Sequence, residues 1–144
     1  MQYSNHAGIL TKYANFLKSV IGDIDKAEIH YIKAIEANPK SADAVGSYAV
    51  FLHSKNGGED NDDKALKYYE EAYKLDDTHV NTMSNYGLYL AEVKGSLERA
   101  QDIYHKALSI DPSHANCLYN YAVLLDSHYK RTHEAAGIYR KVLQ

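Results

Sequence analysis

The sequence predicts an all-α protein built as a stack of four helical hairpins, and two recurring phrases with their spacing predict it. The first phrase is Tyr13-Ala14-Asn15-Phe16-Leu17, Tyr48-Ala49-Val50-Phe51-Leu52, Tyr86-Gly87-Leu88-Tyr89-Leu90 and Tyr121-Ala122-Val123-Leu124-Leu125, with its small residues 35, 38 and 35 apart. The second is Ala27-Tyr31-Ala34, Ala65-Tyr69-Ala72, Ala100-Tyr104-Ala107 and Ala135-Tyr139-Val142, with its leading alanines 38, 35 and 35 apart. A near-constant period of this size marks a repeat array in which each unit packs on its neighbours.

Each element follows from these phrases. Alanine, tyrosine four later and a small residue three beyond share one helical face. The small residues let a neighbouring helix approach, and the tyrosine fills the gap beside them. The first phrase is apolar over a wide arc, so its helix is touched on two sides. In the first hairpin a helix over roughly 5–20 stops at Gly22, Asp23 caps a second over roughly 24–37, and Pro39 closes the unit. In the second, a helix over roughly 42–55 stops at Gly57, Asn61 caps a helix over roughly 62–75, and Asp77 stands where proline is expected. In the third, helices over roughly 79–93 and 97–109 flank Gly95 and the cap Ser96, and Pro112 follows. In the fourth, helices over roughly 114–128 and 132–143 flank Lys130, which replaces the glycine.

A chain of 144 residues fits one domain. Net charge is −3, and residues 41–79 hold four lysines against nine acids. No basic stripe runs along the chain, which argues against a nucleic-acid partner. No run of 18 apolar residues is present, so membrane insertion is not expected. The N-terminus lacks the basic and apolar regions of a signal peptide. Cys117 is the single cysteine, which excludes an internal disulfide. The expected location is cytoplasmic: intracellular and soluble.

With these phrases the chain resembles the tetratricopeptide repeat family, whose pattern is a bulky residue, an apolar–small pair, a distal small–aromatic–small series and a proline. Leu10, Val45, Met83 and Leu118 fill the bulky slot, and Tyr13-Ala14, Tyr48-Ala49, Tyr86-Gly87 and Tyr121-Ala122 the pair. The repeats run over about 7–41, 42–79, 80–114 and 115–144, as one domain. The copies run one residue long between the first small residue and the glycine, and the second has three more residues in its turn, 56–63.

The resemblance implies a right-handed α-α superhelix, a solenoid whose concave groove is lined by the first helix of each pair and binds a peptide or protein. The groove residues are then Thr11, Asn15 and Lys18 in the first copy, and Asp43, Gly46, Val50 and His53 in the second. In the third they are Asn81, Ser84, Leu88 and Ala91, and in the fourth Asn116, Tyr119, Val123 and Asp126. Family members that grip acidic tails place lysine and arginine in this groove. Here only Asn15 matches that set, and Thr11, Asn81 and Asn85 occupy the basic slots, so a carboxylate clamp is not expected. Asn85 and Asn120 precede the tyrosine–small pairs, where related superhelices use asparagine as a ladder on an extended backbone. An amide both donates and accepts. The same asparagines could instead bond neighbouring helices, and both readings stay open. Lys12 and Ser47 hold that slot in the first two copies.

No catalytic constellation, metal site or cofactor site emerges. The eight histidines lack ligand spacing on one helix and read as solvated or packing residues. The acidic turn Glu59-Asp60-Asn61-Asp62-Asp63 lacks the order of a calcium loop and reads as a solvated loop. Cys117 reads as a small buried hydrophobe, and Tyr119 is phased toward either the groove or the next copy. The last helix carries an apolar stripe with Ile138, Tyr139 and Val142. That stripe suggests a piece of a longer protein or homo-oligomerisation through terminal helices. The expectation is therefore a non-enzymatic protein-interaction scaffold. The alternatives are a self-assembling repeat module and the targeting domain of a longer enzyme or transport machine.

Overall fold

The computed structural model describes residues 6–54 and 59–144. They fall into two compact units, residues 1–77 and 78–144. In the first unit, α1 (His6–Phe16) continues as a π-helical turn, Leu17–Ile21, and is followed by α2 (Ile24–Ala37), α3 (Ala42–Ser54) and α4 (Glu59–Leu75). α1 pairs with α2 and α3 with α4, and α3 also lies against α1 and α2. The second unit holds α5 (Val80–Glu92), α6 (Leu97–Ile110), α7 (Ala115–Ser127) and α8 (Thr132–Val142). It repeats the plan: α5 pairs with α6 and α7 with α8, while α7 also lies against α5 and α6. The described residues contain no strand.

The two phrases form the core. Ala14, Ala27, Ala34, Ala49, Ala65, Ala72, Ala100, Ala107 and Ala122 are all fully buried, which is what close helix approach requires. Tyr31, Tyr69 and Tyr104 are buried beside them and carry the apolar bulk.

The turns inside the first, third and fourth hairpins share one geometry. Gly22 and Gly95 take φ of 80° and 65°, and Lys130, where glycine is missing, takes φ of 57°. After each, a backbone N–H reaches back six residues: Asp23 to the Leu17 carbonyl at 2.9 Å, Ser96 to Leu90 at 2.8 Å and Arg131 to Leu125 at 2.8 Å. Lys130 therefore keeps the turn despite its Cβ, at a steric cost of about 1 kcal/mol. Lys130→Gly is expected to raise the stability of the second unit by roughly 0.5–1 kcal/mol, because relief of strain exceeds the added freedom of the unfolded chain. An upward shift of the urea midpoint at unchanged slope checks this.

The extra residue that the first, third and fourth copies carry before this turn also has a structural role. It is absorbed by a wider i→i−5 winding, as the π turn Leu17–Ile21 and as Lys94 N–H to Tyr89 O and Tyr129 N–H to Leu124 O, both 3.3 Å.

Caps bring both agreement and correction. Asp23 Oδ1 accepts from the Lys26 N–H at 3.1 Å, as its position predicts. Ser96 stands at its N-cap position but makes no side-chain capping bond. Asn61 is not a cap, and the acidic segment expected to be a loop is helical, since α4 starts at Glu59. Carboxylates in a first helical turn face the positive end of the helix dipole, so the charge that suggested a loop favours the helix start. Gly57 and the rest of 55–58 lie outside the described residues. α5 and α7 are capped by histidines: His79 Nδ1 accepts from the Thr82 N–H at 3.3 Å, and His114 Nδ1 from the Cys117 N–H at 3.2 Å. Ser41 does the same for α3, its Oγ accepting from the Ala44 N–H at 3.1 Å.

Candidate functional site

The first helix of each hairpin bears the residues expected to face a groove, and the structure separates these into seam and surface. Where α1 meets α3, and α5 meets α7, small and polar side chains let the backbones close up. Thr11 is buried, and its hydroxyl donates to the Ala7 carbonyl at 2.9 Å. Gly46 is buried in α3. Ser84 and Asn120 are buried together: Asn120 Nδ2 donates to Ser84 Oγ at 3.0 Å and to the Ser84 carbonyl at 3.4 Å. Thr11, Gly46, Ser84 and Asn120 thus lie inside the packing seam, where a ligand cannot reach them, and the Asn120 amide bonds a neighbouring helix. The first phrase is apolar over so wide an arc that a one-position change in phase moves a residue from surface to seam.

Ala91 is buried as well, and the other residues stay accessible. In the first unit Asn15 is exposed, and Lys18, Val50 and His53 are half-buried. Two of these also serve the core: the Tyr31 hydroxyl donates to Asn15 Oδ1, and Tyr69 Oη lies 3.1 Å from His53 Nδ1. The second unit's Tyr104 is the equivalent tyrosine, and its buried hydroxyl has no hydrogen-bond partner among the described residues. Leu88 and Ala91 stand in α5 where Asn15 and His53 stand in their own copies.

Burial holds the His53 imidazole below its usual titration range, and nearby Asp62 opposes this in part. A lowered folded-state value means that the unfolded chain takes up the proton first as pH falls. The first unit is thus expected to lose stability once pH drops below about 6.5, the ordinary histidine value. Urea midpoints at about pH 7.5 and about pH 5.5 would show it, and His53→Gln should remove that part of the difference.

In the second unit the α5 and α7 surface is better formed. Asn81, Asn116, Tyr119 and Asp126 are exposed, and Asn85, Leu88 and Val123 are half-buried. Asn81 is fixed by α7's own cap: its Oδ1 lies 2.7 Å from His114 Nε2. Since His114 Nδ1 accepts a backbone N–H, Nε2 carries the proton and donates to Asn81. Tyr119 is 52% exposed and meets Tyr139 of α8 edge-on, with ring centroids 6.1 Å apart.

Sequence reasoning missed two features. A depression of about 470 Å³ lies among α6, α7 and α8, with Tyr121, Leu125 and Ile138 in its lining beside Arg131, Glu134 and Lys141. Arg131 is paired with Glu134 at 3.0 Å. The outer face of α1 and of the π turn that continues it exposes Ile9, Tyr13, Phe16 and Val20, a spacing of four, three and four that a helical-wheel reading of 5–20 could have found. Among the described residues no three His, Cys, Asp or Glu side chains gather as metal ligands would. No helix there is long and apolar enough to cross a membrane.

The sequence pattern of the tetratricopeptide repeat family matches residues 16–41. Among solved structures, PilF of Pseudomonas aeruginosa aligns over 95% of this chain at 23% identity with a TM-score of 0.79. The chain spans 60% of that structure's length. A crystal structure of MamA aligns over 96% of this chain and 77% of its own, at 19% identity and a TM-score of 0.73. A second MamA structure gives 19% identity, 96% and 72% coverage, and a TM-score of 0.72. No curated protein matches the sequence.

Proposed function

We propose, for a chain that folds as tetratricopeptide-type helical hairpins, that it is a protein-interaction scaffold whose α5 and α7 surface receives an extended peptide segment of a partner protein. The observation that carries this reading is that α5 and α7, which pack on each other, leave accessible an exposed tyrosine, two half-buried aliphatic residues and several amides. Tyr119, Leu88 and Val123 offer apolar contact. Asn85 and Asn116 can donate to and accept from a peptide backbone without reading its side chains. Aromatic residues on such a surface carry a large share of binding energy.

The basic slots of a carboxylate clamp hold Thr11, Asn81 and Asn85, and Thr11 is also buried. The ligand is therefore an uncharged or mixed segment, not an acidic tail. In the first unit Asn15, Lys18, Val50 and His53 form the corresponding surface.

The test is capture on an array of unstructured peptides by the whole chain and by Tyr119→Ala and Asn85→Ala. Each variant should weaken capture about tenfold or more while the helical circular-dichroism signal stays unchanged. Undiminished capture by both variants would move the recognition surface elsewhere.

A further inference from the structure

The repeat places a tyrosine-lined socket on the first helix of a hairpin and the preceding second helix in it. In the first unit α2 fills the socket of α3: Tyr31 packs on Tyr48 and Phe51 with centroids 6.3 and 5.0 Å apart, and the Tyr48 hydroxyl donates to Glu28 at 3.0 Å. In the second, α6 fills the socket of α7: Tyr104 packs on Tyr121 at 6.0 Å, and His105 Nε2 lies 2.7 Å from the Tyr121 hydroxyl.

Counting back 35 residues from Ala44, Tyr48 and Phe51 gives Ile9, Tyr13 and Phe16 on α1. The α3 residues are 1%, 5% and 1% exposed, whereas their α1 counterparts are 52%, 45% and 46% exposed. α1 thus presents the same socket open. α8 is the converse. Its Tyr139 corresponds to Tyr31 and Tyr104, which are buried, yet Tyr139 is only half-buried. Leu143, at the place of Ile35 and Leu108, is 86% exposed.

We infer that the occupant of the α1 socket is α8 of a second copy of this chain. The fit is supported by register as well as by apolarity. Tyr139 would lie on Tyr13 and Phe16 as Tyr31 lies on Tyr48 and Phe51. Arg140, 35 residues after His105, would offer a donor to the Tyr13 hydroxyl where His105 meets Tyr121. The surface that does this carries Tyr139 and Leu143, whereas Ile138 lines the depression among α6, α7 and α8. Socket and plug are different surfaces, so the contact is heterologous, one chain's plug in another's socket. It is independent of the peptide-binding surface proposed above.

The test is sedimentation velocity of the full chain over a wide concentration range. Wild type should gain mass as concentration rises. Phe16→Glu, with a blocked socket, and Leu143→Glu, with a blocked plug, should each remain at the mass of a single chain. Their equimolar mixture should form species of two chains, since one contributes a working plug and the other a working socket. Ile9→Glu and Arg140→Glu, both at exposed positions, repeat the experiment should circular dichroism show either first variant unfolded. A wild-type chain that stays monomeric throughout would overturn the inference. So would a socket variant that assembles like wild type, which would mean that α8 pairs with α8, or a mixture that stays monomeric.

Discussion

Gly87→Ala is expected to destabilise the second unit by about 1–3 kcal/mol, read as a lower urea midpoint. A Cβ built on Gly87 falls 2.5 Å from Tyr104 Cε1, 2.8 Å from Cζ and 3.1 Å from Cδ1. These are ring atoms of a fully buried side chain, so they cannot swing away as the end of a flexible chain would. Alanine in a helix interior gains about 0.5–1 kcal/mol over glycine, and here the clash outweighs that gain. Alanine already occupies the same repeat position at 14, 49 and 122, so the effect belongs to this copy and not to the position. Tyr104→Leu in the Gly87→Ala background should recover part of the loss. A simple gain in stability from Gly87→Ala would mean that α6 does not approach α5 this closely.

Asn120→Ala should cost the second unit about 1–3 kcal/mol, since it removes a buried amide and takes one of Ser84's two side-chain partners. Asn85→Ala, at the same repeat position one copy earlier, should change stability by no more than about 0.5 kcal/mol. Thermal or urea unfolding of the two variants side by side checks the contrast. Equal losses would place Asn85 in the seam as well and remove it from the proposed surface.

The helices and turns were legible because their signals are local. Gly22 and Gly95 end a helix through their own backbone freedom, and Asp23 caps one three residues away; neither needs a distant partner. The buried alanines and tyrosines were legible because a strict period repeats them. Two local readings failed for local reasons: Asp60, Asp62 and Asp63 favour a helix start as much as a loop, and His79 and His114 cap helices through an imidazole nitrogen, an acceptor easily overlooked beside serine and aspartate. The candidate surface was only partly legible. Thr11, Gly46, Ser84 and Asn120 separate from Asn15, Asn85 and Tyr119 only through the closeness of the neighbouring first helix, a three-dimensional fact. The unpartnered hydroxyl of Tyr104 needed the same information, because it arises from Leu88 and Ala91 on another helix.

The seam between α5 and α7 has a chemical corollary. Cys117 lies there with no exposed surface, and burial pushes its thiol up to about 12 even though Ser84 bonds to it. The only sulfhydryl in the chain is therefore silent toward alkylating reagents while α7 stays seated. Its rate of modification would time the lifting of α7, giving a native reporter of breathing in this half of the molecule without any introduced label.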